Sequence, residues 1–509
     1  MLLLIFFAIS VFIFLVYWKF IRPQKALYDT FCEQGVSCEP FKPLIGQLLD
    51  IHHAFDNDTI VDYRNQLIEK HGYVYTIGFG PSTTLVIMDA DMLADVFGRT
   101  HSQDYRKPVG MDKYFKPLIG IHNLLVSEGE EHTRARQMLN PAFHYVHLQS
   151  MIDLMIDQTK KTIDELFLLS NTNQFVDLDT QMNNITLAII ASSAFGKDFQ
   201  STSNSKQILR QSINELLRVL EYRAMRMIDD IPLIGRLPFW GKKIINKCSM
   251  DISNFVDEII SDRRHEKSTS LSSNEDLLDL LLSAVDDQGK PFDNQEIKDQ
   301  ALTFVLAGHE TTGSLLTWTM YVLMTNEKVF EACREEVDRI LPNGAEITRE
   351  NLNQLVVCEA ILQETLRLYP PASFLSRECI REHYIGKEGQ RQIRIPVGAK
   401  VMVSVQVLHQ REEYWSQPTE FDYTRWMRDP ITGLKPKLSH PFCYLPFGAG
   451  PRNCIGQNFA LLESKIILAM LIQRCNFEIE PGQKIVPVVR IAMKSKYGLR
   501  AKITQRSFN

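Results

Sequence analysis

The spacing of apolar positions changes several times along the chain, and each change predicts a different kind of element. Met1 to Trp18 is apolar except for Ser10. At about 1.5 Å per helical residue that run nearly spans a bilayer core of about 30 Å. Residues 73–88 (YVYTIGFGPSTTLVIM) are β-branched and aromatic around Gly80-Pro81, which predicts a hairpin. From about 125 to 375 helical spacing dominates, interrupted by a polar stretch from Arg263 to Asp276 that reads as a surface loop. Residues 392–407 and 484–503 return to strand character. The pattern predicts a mainly α fold with small β-sheets set to one side.

The longest helical stretch starts at Asp293, which pairs with Glu296 as a capping box, and meets no proline before Met324. Residues 301–307 (ALTFVLA) are apolar on nearly every side, so this helix is expected to cross the core. It then reads Gly308-His309-Glu310-Thr311-Thr312-Gly313. A glycine inside a helix costs about 1 kcal/mol relative to alanine, and a buried carboxylate costs more unless it has a partner. Such local cost suggests a site. Gly308 is expected to leave room beside the backbone, and Thr311 to offer a hydroxyl that loosens the helical ladder. Glu310 is placed to feed protons.

The N-terminal run has no basic region before it and no small-residue cleavage site after it, so it reads as an uncleaved anchor over 1–21. Tyr17 and Trp18 stand where an interfacial belt belongs, and Lys19, Arg22 and Lys25 keep the rest on the cytoplasmic side. Gly35, Pro40, Pro43 and Gly46 mark a connector over 22–46, leaving 47–509 as one body. Ile231 to Lys243, with two prolines, Trp240 and a lysine pair, reads either as a buried loop or as a second contact at headgroup level.

Composition narrows the class. The 509 residues are 45% hydrophobic and 23% charged, an ordinary globular balance. The net charge of −5 gives no basic field for nucleic acid. Nine cysteines form no CxxC pair, which argues against a zinc ribbon, and their irregular spacing predicts reduced thiols in a cytosolic compartment.

One cysteine stands apart. In residues 446–460 (PFGAGPRNCIGQNFA), Phe447, Gly448, Gly450 and Gly456 bracket a tight loop, and Arg452 lies two residues before Cys454. Ile455, Phe459, Leu462, Ile466 and Met470 then follow helical spacing. Cys454 therefore sits at a helix N-terminus, where the dipole and free N–H groups favour a thiolate. The glycines allow a flat cofactor to approach the backbone.

The run Phe447-Gly-x-Gly-x-Arg-x-Cys454-x-Gly456 resembles the haem-binding loop of the cytochrome P450 superfamily of haem-thiolate monooxygenases. Three further motifs follow the family's order. Ala307-Gly308-x-Glu310-Thr311-Thr312 resembles its oxygen-activation motif, Glu364-x-x-Arg367 its ExxR motif, and Arg425-Trp426 the later arginine that pairs with it. The resemblance covers about residues 30–505 and implies the cytochrome P450 fold. Glu364 and Arg367 share one helix face, and with Arg425 they are expected to form a buried cluster that holds the loop leading to Cys454.

What the resemblance implies is specific. Cys454 is the axial thiolate ligand of haem b. Arg452, Phe447, Gly448, Arg136, His132, Arg377 and Ala307 contact the cofactor, with His132 in the place of the family's tryptophan. His409 matches a position that meets haem propionates less often. Thr311 hydrogen-bonds the oxygen substrate and Glu310 relays protons. Ala307 replaces the glutamate that bonds covalently to haem in some fatty-acid ω-hydroxylases, so covalent attachment is not expected. Phe115, Leu118, Ile119, Phe304, Ala307 and Ser373 to Leu375 line an apolar pocket, which implies a lipophilic substrate such as a fatty acid, sterol or xenobiotic.

No GxGxxG marks a built-in reductase domain. Electrons are expected from a separate NADPH diflavin reductase in the endoplasmic reticulum membrane, with cytochrome b5 as a helper. Arg134, Lys435 and Lys437 are the docking charges suggested for it. Two other readings are a haem-thiolate isomerase or dehydratase acting on lipid hydroperoxides and a non-catalytic haem sensor. Thr311 counts against the first, and the lack of length for an output domain against the second.

Overall fold

The computed structural model describes the chain except for residues 171–173, 197–202, 226–240, 268–275, 390 and 508–509. Nearly all of the Ile231–Lys243 segment, with its two readings, lies outside the described residues, as does most of the polar stretch after Arg263. Arg263 itself is helical, within Lys242–Lys267, and ion-pairs with Asp276 at 2.6 Å.

The N-terminal helix is longer than the apolar run that predicts it. Leu2–Val16 is α-helical, Tyr17–Ile21 forms a π-helical turn, and Arg22–Glu33 continues as α-helix. The whole of Leu2–Glu33 is long and apolar enough to cross a membrane. At the junction, the Arg22 guanidinium lies 4.0 Å from the Trp18 ring centre. The region read as a connector is therefore built structure over part of its length. Phe31 is fully buried, the Gln24 side chain accepts from Thr83 N–H at 2.7 Å, and Ser37–Cys38 pairs as a strand with Val74–Phe79.

A second difference follows from the same turn. Cys32 and Cys38 are joined as a disulfide, so the expectation that all nine thiols are reduced is corrected. The chain reverses at Gly35, whose φ is +74°, and brings the two Cα atoms to 6.2 Å, within bridging range. Spacing alone carries no sign of that reversal.

By internal packing the chain forms two compact units. The first comprises Met1–Val109, Ser373–Pro418 and Leu438–Asn453. Its predicted hairpin is present as Val74–Phe79 and Ser82–Ile87, joined into a six-stranded sheet. In spatial order that sheet runs Ser37–Cys38, Val74–Phe79, Ser82–Ile87, Lys400–Ser404, Phe374–Cys379 and Tyr105–Arg106. One core cluster covers it, including Leu85, Ile87, Leu93, Val401 and Val403.

The second unit, Gly110–Ala372, Thr419–Lys437 and Cys454–Asn509, is mostly helical. Its central helix, Asn294–Thr325, opens with the predicted capping box at Asp293 and Glu296. The helix Leu178–Phe195 packs close beside it. A Cβ on Gly308 would lie 2.9 Å from Ile190 Cγ1, and one on Gly313 would lie 2.2 Å from Asn183 Oδ1. The two glycines thus serve helix–helix approach, and Thr186 Oγ1 donates across the contact to the His309 carbonyl at 3.0 Å. Near the C-terminus, Pro487–Val489 and Met493–Ser495 form a small hairpin. It is pinned to the central helix where Met493 O accepts from Ser314 Oγ at 2.5 Å and from Trp318 Nε1 at 3.1 Å.

Candidate active site

Between residues 301 and 320 the central helix has one open place. Residues 301–306 are buried, and so are His309, Glu310 and Thr312 to Met320. Ala307 is exposed, and Gly308 and Thr311 are half-buried. Positions i, i+1 and i+4 fall on one face, so the accessible surface is a single stripe one turn long. Thr311 Oγ1 donates to the Ala307 carbonyl at 2.6 Å, which satisfies that carbonyl a second time and fixes the hydroxyl's resting direction.

In the same unit, Cys454 is the exposed member of the seven cysteines outside the disulfide; the other six are buried. It precedes the helix Gln457–Arg474, whose N-cap is Gly456. Burial pushes its thiol above the ordinary value, while the Gly456 N–H and the Arg136 guanidinium pull the other way. The helix end and Arg136 thus work toward a thiolate against the cost of burial. A metal displaces the proton in such a site. A soft sulfur facing open space, with a cation and a backbone donor beside it, suits a thiolate-bound iron. Gly456 has open surroundings: an added Cβ would meet only Cys454 Sγ at 3.9 Å and Phe143 Cε1 at 4.0 Å. Phe143 in turn stacks edge-on against Phe304 of the central helix, with ring centres 5.0 Å apart. His132 and Arg136 share the helix Gly129–Leu139; His132 is buried and Arg136 donates to Asn140 Oδ1 at 3.0 Å. Of the suggested pocket residues here, Leu118, Ile119 and Phe304 are buried and Phe115 is half-buried.

The remaining predicted residues belong to the first unit. Arg377 and Arg452 line one crevice with Phe97, Arg106 and Lys107. The Arg377 guanidinium lies 4.8 Å from the Phe97 ring centre. Three arginines and a lysine in one crevice suit carboxylate recognition. Phe447 and Gly448 are half-buried in the loop, with Gly448 at φ +68°. Gly450, at φ +66°, approaches the Phe97 carbonyl so closely that an added Cβ would lie 2.0 Å from it. His409 is fully buried, and its Nε2 accepts from Leu445 N–H at 2.7 Å. That nitrogen braces the loop.

The sequence profile of the cytochrome P450 family matches residues 36–498. The chain belongs to the cytochrome P450 family. It is 28% identical over 458 residues to human "Cytochrome P450 4X1", covering 88% of this chain and 87% of the relative. It is 30% identical over 452 residues to the "11-oxo-beta-amyrin 30-oxidase" of Glycyrrhiza uralensis, covering 86% and 82%. In structure it matches the "cytochrome P450DA heme domain" with a TM-score of 0.76, over 93% of this chain and 98% of that one. At 24% identity that match shows the shared fold. The protein is thus a cytochrome P450 monooxygenase, a class that carries thiolate-ligated haem iron and draws on O2, a substrate and a redox partner.

The ExxR cluster of this P450 is more complete than its motif suggests. Glu364 and Arg367 are both fully buried and bonded at 2.7 Å, and Arg425 Nε reaches Glu364 at 3.3 Å. The motif itself assigns no role to Trp426 or Asp422. Trp426 Nε1 donates to Glu364 Oε2 at 2.8 Å, and Asp422 N–H to Oε1 at 3.0 Å. Arg367 also donates to the Glu420 carbonyl at 2.9 Å.

Spacing also gives no hint of Lys494. Its Nζ lies 2.9 Å from Glu310 Oε2, which supplies the buried carboxylate with its partner. Two of the suggested docking cations are otherwise engaged. Arg134 bonds Asp286 and Glu296, both at 2.7 Å, and Lys435 bonds Glu359 at 2.8 Å. Lys437 is exposed.

Proposed function

We propose that Cys454 is the axial ligand of haem b and that the stripe Ala307–Thr311 faces the oxygen substrate. One observation carries this reading: the accessible cysteine and the one open turn within the buried stretch 301–320 of the central helix belong to one compact unit. Bound there, thiolate-ligated haem supplies O–O cleavage and insertion of one oxygen atom into an unactivated substrate. The chain's own residues do the rest. Cys454 gives up its thiol proton on loading. Arg136 and His132 are suited to a carboxylate of the cofactor, and the family resemblance gives Arg377 and Arg452 the same role. Thr311 turns its hydroxyl from the Ala307 carbonyl to the oxygen substrate, and Glu310 passes protons to it.

Apolar lining at Phe115, Leu118, Ile119 and Phe304 supports a lipophilic substrate. The apolar helix Leu2–Glu33 supports anchoring in the endoplasmic reticulum membrane with the body on the cytoplasmic side. There an NADPH diflavin reductase, helped by cytochrome b5, supplies electrons. Ala307 leaves no side chain for a covalent bond to haem, so acid-acetone should extract it.

Cys454→Ser tests the assignment. The reduced carbonyl complex of the variant is expected to lose the thiolate-type Soret band, and a retained band would remove Cys454 from the ligand role. Thr311→Ala is expected to divert NADPH consumption from product to peroxide; full coupling would remove Thr311 from oxygen activation. A screen of fatty acids, sterols and drug-like compounds for spin-state shifts then identifies the substrate class.

A further inference from the structure

The ion pair between Lys494 and Glu310 stands inside a larger buried cluster. Its lysine is rigidly placed, because Met493, one residue earlier, is pinned by Ser314 and Trp318 of the central helix. Three other groups lie close enough to act on the pair's charges. Asp179 lies in the first turn of Leu178–Phe195, with Oδ1 buried and, among the described residues, without a hydrogen bond. Glu221 belongs to the helix Ser203–Met225 and accepts from Arg490 Nη1 at 3.5 Å. On the central helix itself, His309 Nδ1 lies 3.8 Å from Glu310 Oε1.

Three carboxyls thus share two permanent cations. A buried excess of negative charge is relieved when one acid keeps its proton. Burial raises the Asp179 and Glu221 carboxyls above their ordinary range, against the pull of Lys494 and Arg490. Burial also disfavours the Lys494 ammonium, but the Glu310 carboxylate outweighs it and holds the lysine charged.

We propose that Lys494 is a positioning residue for proton supply: its ion pair holds the Glu310 carboxylate in place, while Asp179 and Glu221 store the proton that replaces each one Glu310 delivers. The inference deepens the monooxygenase reading of Glu310 and Thr311 and rests on it. In the step itself a carboxyl of Asp179 or Glu221 gives its proton to the Glu310 carboxylate, and the donor becomes a carboxylate. Solvent returns the proton at the Arg490 edge, where that side chain is 38% exposed. Lys494 stays an ammonium throughout, and no electron moves.

The first test reads charge, not turnover. In the full-length resting protein near neutral pH, Lys494→Met is expected to gain an infrared band of a protonated carboxyl. That band should vanish in Lys494→Met/Glu310→Gln and be absent in Lys494→Arg. Absence of the band in Lys494→Met, or its presence on Glu310 in the wild type, overturns the inference.

The second test uses the enzyme with its reductase. Product formed per NADPH should fall in Lys494→Met, by less than the roughly hundredfold that loss of a general acid itself costs. Lys494→Arg should restore it, and the solvent deuterium isotope effect should rise only in the methionine variant. An unchanged yield and isotope effect overturn the inference. If Lys494→Met does not fold, Asp179→Asn carries the test, since it keeps the ion pair. Its yield should fall and lose pH dependence, and a wild-type profile overturns the storage role. If instead Thr311→Ala stays fully coupled, the oxygen-activation reading fails, while the infrared result still decides the role of Lys494.

Discussion

Trp426 donates its indole N–H to Glu364 Oε2 at 2.8 Å, so one fully buried carboxylate serves Arg367, Arg425, the Asp422 amide and Trp426 together. This explains how the charge survives burial: each oxygen is hydrogen-bonded several times over. Glu364→Ala leaves Arg367 buried without its counter-ion, and a loss of about 3–5 kcal/mol is expected. Trp426→Phe removes one bond to a charged acceptor and should lose about 1.5–3 kcal/mol. Denaturant unfolding of the two variants checks the order, which reverses if the indole is the principal support.

Two glycines of the cysteine loop should respond in opposite ways. Gly450 is left-handed and has no space for a Cβ, so Gly450→Ala should destabilise by about 2–5 kcal/mol from backbone strain and overpacking together. Gly456, at φ −86° with its nearest neighbours 3.9 Å or more away, should accept alanine with wild-type folding. Thermal unfolding of the pair measures the contrast.

Glu463, on the helix after Cys454, is fully buried, and among the described residues neither side-chain oxygen has a well-formed hydrogen bond. Desolvation holds its carboxyl well above the ordinary range, against a weaker pull from the Thr312 hydroxyl. The folded state therefore keeps a proton that the unfolded chain releases above about pH 4.5. Stability then falls as pH rises from there toward the folded-state value. Glu463→Gln should flatten that decline in unfolding free energy between mildly acidic and neutral pH. An unchanged slope would assign the decline to other groups.

The contact between Gly308 and Ile190 can be tested as a pair. Gly308→Ala brings a methyl to within 2.9 Å of Ile190 Cγ1, and about 1–3 kcal/mol of destabilisation is expected. Adding Ile190→Ala removes the obstructing atoms, so the double variant should be more stable than the sum of the single losses implies. Simple additivity would show that the glycine serves another purpose.

Much of this protein is local and therefore legible. The apolar run at the N-terminus, the hairpin over 74–87, the capping box at Asp293 and the ordered set of motifs all depend on residues close in sequence, whose spacing fixes periodicity and turn chemistry. The family followed from that order alone. Where local reading failed, a distant neighbour intervened. Gly308 read as space for a site but admits Ile190, and Cys32 and Cys38 looked idle until a turn at Gly35 brought them together.

The sequence by itself determined the class of the principal elements, the family and the single cysteine worth testing, because these rest on short-range pattern. The tertiary structure alone decided which charges are satisfied. Glu310 and Lys494 stand 184 positions apart, and Glu364 and Trp426 stand 62 apart. An ion pair or hydrogen bond across such separations leaves no periodic trace, since either partner reads as an ordinary polar residue until packing removes its water.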